Sequence, residues 1–388
     1  MGKGAHAHVC KPSLMKFGNA KITKNKNKKQ KTRRFKKMKK IFALALCLCM
    51  LFAFVACGDD DKTQDPTPVT PTTAEYKLGM GVVVDLNSSN GTTAQVDATV
   101  ATVVLDKDGK IVLCRIDAVQ NKMDITAVDA TKTFKTKMEL GDDYNMAKFG
   151  QSMDWNGDGV VKEWYEQAKA FENHVVGMTG EQVANMATKA VGDYVISADD
   201  ALLSAGCTIQ ITDFKAAVAK ACNDEQGMTF TAVPGSFTLG VAATSTADES
   251  TATEVKMYSD FACAVVADGK ILATLNDAIQ PKITVVDGAL GEKTFVGTKR
   301  ELKEDYNMAK FGQSMDWNGD GKVLEWYLQS EAFSKHVVGM TGEQVANMAT
   351  KAVGDYVISA DDALLSAGCT IQITAIKAVV AQSVTNAR

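Results

Sequence analysis

The residues best suited to chemistry in this 388-residue chain come in pairs. DWNGDG occurs twice, placing Asp154, Asn156 and Asp158, then Asp316, Asn318 and Asp320, at positions 1, 3 and 5 of a loop with Gly at position 6. That is the oxygen-ligand spacing of a calcium loop. Position 12, where such a loop needs a carboxylate to grip the ion with two oxygens, holds Tyr165 and Tyr327. The competing reading is an Asn-Gly/Asp-Gly turn leading into a helix. A second pair is SAGCTIQIT at 204–212 and 366–374, a turn of small residues running into a β-branched stretch. Past residue 57, His174 and His336 are the only histidines. No zinc-protease, nucleophile-elbow, phosphate-loop or dinucleotide motif is present.

The pairs belong to a tandem repeat. Residues 144–159 match 306–321 without a change, as do 174–212 and 336–374, while the N-terminal halves of the copies have diverged. In each copy, alternating strands with a hairpin signal come first: ATVATVVLD, a turn at 106–109, then KIVLCRIDA. A second turn precedes TKTFKTKME. In KEWYEQAKAFENHVVG, Trp164, Ala168, Phe171 and Val175 fall on one helical face. Thr179 with Gln182 makes a capping box for the next helix, Ser197 caps another, and ITDFKAAVAKA closes the copy. Strands followed by helices predict an α+β fold of two tandem domains, each an antiparallel sheet with helices packed on it. The expected bounds are 75–225 and 237–388, with a linker at 226–236.

Composition bounds the setting. Residues 1–56 hold 15 Lys or Arg and no acid, leaving 28 basic against 46 acidic residues in the remainder. So acidic a body argues against nucleic acid as a partner. From Met38 the chain reads as a short cationic start, an apolar run at 41–56, then Cys57. Small residues before a Cys resemble the bacterial lipobox, which makes Cys57 the expected lipidation site and 38–57 a lipoprotein signal. The alternative is an uncleaved anchor helix. Residues 1–37 form a basic extension consistent with Met38 as initiator. The Asp/Thr/Pro-rich segment 58–74 is expected to be an extended tether. Either reading places the body on the extracytoplasmic side of the cell membrane. The five remaining cysteines lack the spacing of a disulfide framework or zinc site.

The strand order, the DGKI hairpin and the ending DALLSAGCTIQITDFKAAVAKA resemble the bacterial FMN-binding domain family, and in particular tandem extracytoplasmic lipoproteins of clostridial type. In flavin-carrying members an Asp precedes Ser/Thr-Gly-Ala-Thr, and a flavin transferase esterifies the final Thr hydroxyl to the FMN phosphate. The resemblance implies Thr208 and Thr370 as acceptors. Ser204, Gly206, Ser366 and Gly368 would form the turn, with Asp200 and Asp362 upstream. Here the turn is Ser-Ala-Gly-Cys-Thr, one residue longer and with Cys before the Thr. The implied function is a membrane-held covalent-flavin electron carrier serving redox partners, rather than a turnover enzyme. The alternative is a surface or ligand-binding lipoprotein that kept the scaffold without flavin, with weak calcium loops.

Overall fold

The computed structural model describes residues 72–126, 134–146, 148, 154, 156–157, 159–308, 310 and 316–388. The basic extension, the signal segment with Cys57, the tether up to residue 71 and Asp158 lie outside the described residues.

The β-branched runs of the first copy form three long strands, β1 (Ala74–Asp85), β2 (Thr93–Leu105) and β3 (Ile111–Asp124). The expected turn joins β2 to β3, with Asp106 Oδ1 accepting the amides of Asp108 and Lys110 at 2.9 Å each and Gly109 at φ +72°. Thr136 and Glu139 make a capping box for the short helix α1 (Lys137–Leu140). Next come α2 (Trp164–His174) and α3 (Gly180–Ala184), then the hairpin of β4 (Thr188–Val191) and β5 (Tyr194–Ser197), then α4 (Asp200–Ser204) and α5 (Thr212–Cys222). Trp164, Ala168, Phe171 and Val175 are buried on one face, and the Thr179–Gln182 capping box forms, both as expected. The cap of α4 is different. Asp199, not Ser197, is the N-cap and accepts the amides of Ala201 and Leu202. The Ser197 hydroxyl instead accepts the Asp199 amide at 3.0 Å, because two capping-competent residues stand in tandem and the helix starts only at the second.

Met228–Ala232, inside the segment read as a linker, forms β6 and pairs antiparallel with β1. The second copy contributes β7 (Thr238–Thr246), β8 (Glu254–Lys256), β9 (Tyr258–Ala267), β10 (Lys270–Ile279), β11 (Lys282–Val286) and β12 (Ala289–Thr294). Its helical half holds α6 (Lys299–Leu302), α7 (Trp326–His336), α8 (Gly342–Ala346), the hairpin β13 (Thr350–Val353) and β14 (Tyr356–Ser359), α9 (Asp362–Ser366) and α10 (Thr374–Thr385).

The fold is α+β, with antiparallel sheets ordered β3-β2-β1-β6, β10-β9-β7 and β12-β11-β8 besides the two hairpins. Each large sheet carries its helices on its outer face. On the inner faces, Leu78, Met80, Val82, Val96 and Val100 share one core with Leu239, Val241, Phe261, Cys263 and Val265. Burial on both faces goes with the apolar ends of these strands, VVL at 103–105 of β2 and FACAVVA at 261–267 of β9. At the sheet edges β3 lies against β7 and β6 against β10, and Asn121 Nδ2 donates to Ser259 Oγ at 3.2 Å. Helices sit close on the sheets because glycine faces them. A Cβ on Gly79 would stand 2.1 Å from Ala221 O, and one on Gly240 would stand 1.9 Å from Ser383 O.

Candidate functional site

The two repeated motifs meet in space. Buried Gln167 on α2 donates from Nε2 to Lys162 O at 2.8 Å. Its Oε1 accepts three donors of the SAGCT turn: the Thr208 amide at 2.8 Å, the Thr208 hydroxyl at 3.2 Å and the Ile209 amide at 3.0 Å. Lys162 Nζ donates to Ala205 O at 2.8 Å, and Asn156 of DWNGDG donates to Leu203 O at 3.2 Å. The second copy repeats this arrangement through Gln329, Thr370, Ile371 and Asn318, with Leu324 in place of Lys162. Gly206 at φ +90° and Gly368 at φ +93° make the bend, a conformation that strains residues with a Cβ.

Thr208 and Thr370 are each 2% exposed, so both implied acceptor hydroxyls face inward and are already hydrogen-bonded. Ser204, Ser366, Asp200 and Asp362 lie on the surface, while Gly206 and Gly368 are buried. Cys207 and Cys369 beside them are buried thiols pushed up to about 12 by desolvation, which makes them inert packing groups.

In the DWNGDG loops the carboxylates close turns. Asp154 Oδ2 accepts the Gly159 amide at 2.9 Å, and Asp316 accepts from Asp320 at 3.1 Å and Gly321 at 2.9 Å. Tyr165 and Tyr327 reach away to Asp142 and Glu304. Among the described residues no group of three His, Cys, Asp or Glu side chains converges as a metal site requires. His174 and His336 end α2 and α7, with Nε2 3.6 and 3.4 Å from the N-cap carboxylates Asp199 and Asp361.

The corner also forms one wall of a cavity. Ile209 and Gln210, just past Thr208, line a space of about 370 Å³ in the first copy, together with Trp164, Tyr194 and Phe214. The opposite wall holds Asp85 of β1, Asp97 and Thr99 of β2, and Ala118 and Gln120 of β3. Lys137, Tyr144 and Asp213 complete it. Lys137 Nζ stands 5.0 Å from the Tyr144 ring centroid and 5.5 Å from that of Trp164, a cation–π seat. Burial pushes this ammonium below its ordinary range, with Asp97 opposing the shift. Burial, then the like charge of Asp85, pushes the Asp213 carboxyl up. Asp97 Oδ2 accepts from Gln95 at 2.6 Å, while its Oδ1 is buried with no hydrogen-bond partner.

Sequence reasoning missed Lys137, Tyr144, Asp85, Asp97 and Asp213, because they come from five separate segments. One signal was available: both copies place the lysine directly after a capping-box threonine, in TKMEL at 136–140 and TKREL at 298–302. No protein-family model matches the chain, nor does any curated protein or any solved structure.

Proposed function

We propose that this chain is a lipid-anchored, extracytoplasmic ligand-binding protein, held to the membrane through Cys57, whose binding site is the cavity of the first copy. The observation that carries the reading is the cavity itself. About 370 Å³ of space, walled by aromatic rings with a few ionisable groups, has the size and character of small-molecule sites. Trp164 in its wall makes ligand entry visible in tryptophan fluorescence. The test is a thermal-shift and fluorescence screen of small molecules on the mature chain, repeated on Ala118→Phe, which fills the space. Hits lost in that variant support the reading, and a screen with no cavity-dependent hit sinks it. Processing blocked by a signal-peptidase II inhibitor tests the anchor at Cys57.

The covalent-flavin reading has one feature in its favour: the cavity wall begins one residue after Thr208. Two features weigh against it. The acceptor hydroxyl is engaged by Gln167, and Asp85, Asp97 and Asp213 oppose a phosphate in that space. Incubation with FMN and a flavin transferase separates the two, since only the electron carrier gains FMN mass on the Thr208 or Thr370 peptide.

A further inference from the structure

The first-copy cavity and the equivalent place in the second copy differ in their charged residues. Strand register fixes the correspondence. Asp85 pairs with Asp97, which pairs with Gln120, and in the second copy Thr246 pairs with Tyr258, beside Gln280. Thr99 opposite Ala118 likewise corresponds to Asp260 opposite Ala278. The identity of the copies ends at 212 and 374, and the next residues are Asp213 and Ala375. Three carboxylates of the first cavity are therefore Thr246, Tyr258 and Ala375 in the second copy. The seat of the lysine is the same in both. Lys299 Nζ lies 5.1 Å from the Tyr306 ring and 5.2 Å from the Trp326 ring.

The charges about the two lysines come from different residues. Around Lys299 stand the carboxylates of Asp260, foremost, then Asp277 and Glu249, together with the ammonium of Lys310. Around Lys137 stand Asp97 and Asp213 with the ammonium groups of Lys148 and Lys122, while the residues that line the first cavity include three carboxylates, Asp85, Asp97 and Asp213, and one ammonium, Lys137. An excess of negative charge beside aromatic faces attracts organic cations, which pair with the carboxylates and lie against the rings.

We propose, resting on the ligand-binding reading, that the first-copy cavity selects a small organic cation, a primary or quaternary ammonium compound, through Asp85, Asp97 and Asp213. Asp97 supplies a carboxylate, Tyr194 and Phe214 supply apolar wall, and the second copy does not bind this class.

The test uses the mature full chain and four probes of similar size and different charge: n-butylammonium, tetramethylammonium, n-butanol and butyrate. Binding is read by isothermal titration and tryptophan fluorescence. The two cations should bind most tightly and butyrate least. Asp213→Ala, which installs the residue found in the second copy, and Asp97→Asn should each weaken cation binding roughly tenfold, the size of one charge contact in a half-buried site. Butanol binding should be unchanged in both variants. Butanol bound as tightly as the cations and lost in Ala118→Phe would overturn the cation proposal and leave the ligand-binding reading standing. Cation binding unaffected by Asp213→Ala and Asp97→Asn would also overturn it. If no probe binds, the cation proposal fails, and the ligand-binding reading is decided by its own screen.

Discussion

Gln167 and Thr208, 41 residues apart, form one hydrogen-bonded joint: the Gln167 carbonyl oxygen accepts the amide of Thr208 at 2.8 Å and its hydroxyl at 3.2 Å. The joint gives SAGCT a structural role. Small residues let the turn bend under α2, Gly206 takes the positive φ, and the threonine faces the buried glutamine rather than solvent. Gln329 and Thr370 make the same joint in the second copy.

Replacing Gln167 by Leu strips partners from the Thr208 and Ile209 amides and from Lys162 O. Buried polar groups left unpaired cost about 1–3 kcal/mol each, and not additively, so a loss on the order of 3 kcal/mol is expected. Thr208→Val removes only the hydroxyl bond and should cost about 1 kcal/mol. Urea unfolding of the two variants measures both, and a milder effect for Gln167→Leu than for Thr208→Val would contradict the joint.

Co-expression with a flavin transferase is expected to leave the folded chain colourless and of unmodified mass, because neither threonine hydroxyl reaches solvent. FMN mass on either threonine peptide would establish the electron-carrier reading instead.

The two copies are tied by an ion pair. Arg300 Nη2 lies 3.2 and 3.1 Å from the two carboxylate oxygens of Asp224 and 2.9 Å from Gln226 O, with the side chains 7% and 8% exposed. Arg300→Leu leaves the Asp224 carboxylate buried and unpaired and should cost about 3–5 kcal/mol. Adding Asp224→Asn removes that charge while keeping an acceptor for the Met80 amide, and should recover part of the loss. Thermal unfolding of the single and double variants checks this. Equal stability of the two would mean that the buried charge is not what matters.

Asp117 links stability to pH. Burial pushes its carboxyl up from 3.8 to about 7, although its Oδ1 accepts the amides of Ala118 at 2.7 Å and Met138 at 3.1 Å. The folded state thus holds a proton that the unfolded chain releases at lower pH. The stabilisation is fully present below about 4 and is lost as pH rises to about 7. Asp117→Asn keeps an acceptor and cannot ionise. It should flatten the stability–pH curve across that window and unfold at higher temperature than the parent at pH 7. A parallel curve for parent and variant would show that Asp117 does not titrate there.

Much of this protein was legible from local pattern. The repeat, the hairpin turn, the buried stripe from Trp164 to Val175 and the Thr179–Gln182 cap all depend on residues within one turn or one strand of each other, where spacing sets geometry. Long-range contacts decided the rest. Sequence placed Thr208 in a turn and Asn156 in a loop, but only the fold turns the hydroxyl toward Gln167 and brings the Asn156 amide to Leu203 O. The carboxylates of the cavity sit on separate strands and a helix, and strand register alone makes neighbours of Asp85, Asp97 and Gln120. Periodicity says which face of an element is apolar. Which polar groups then converge is set by how the faces stack, and the inward-facing threonines and the acidic cavity emerge only at that level.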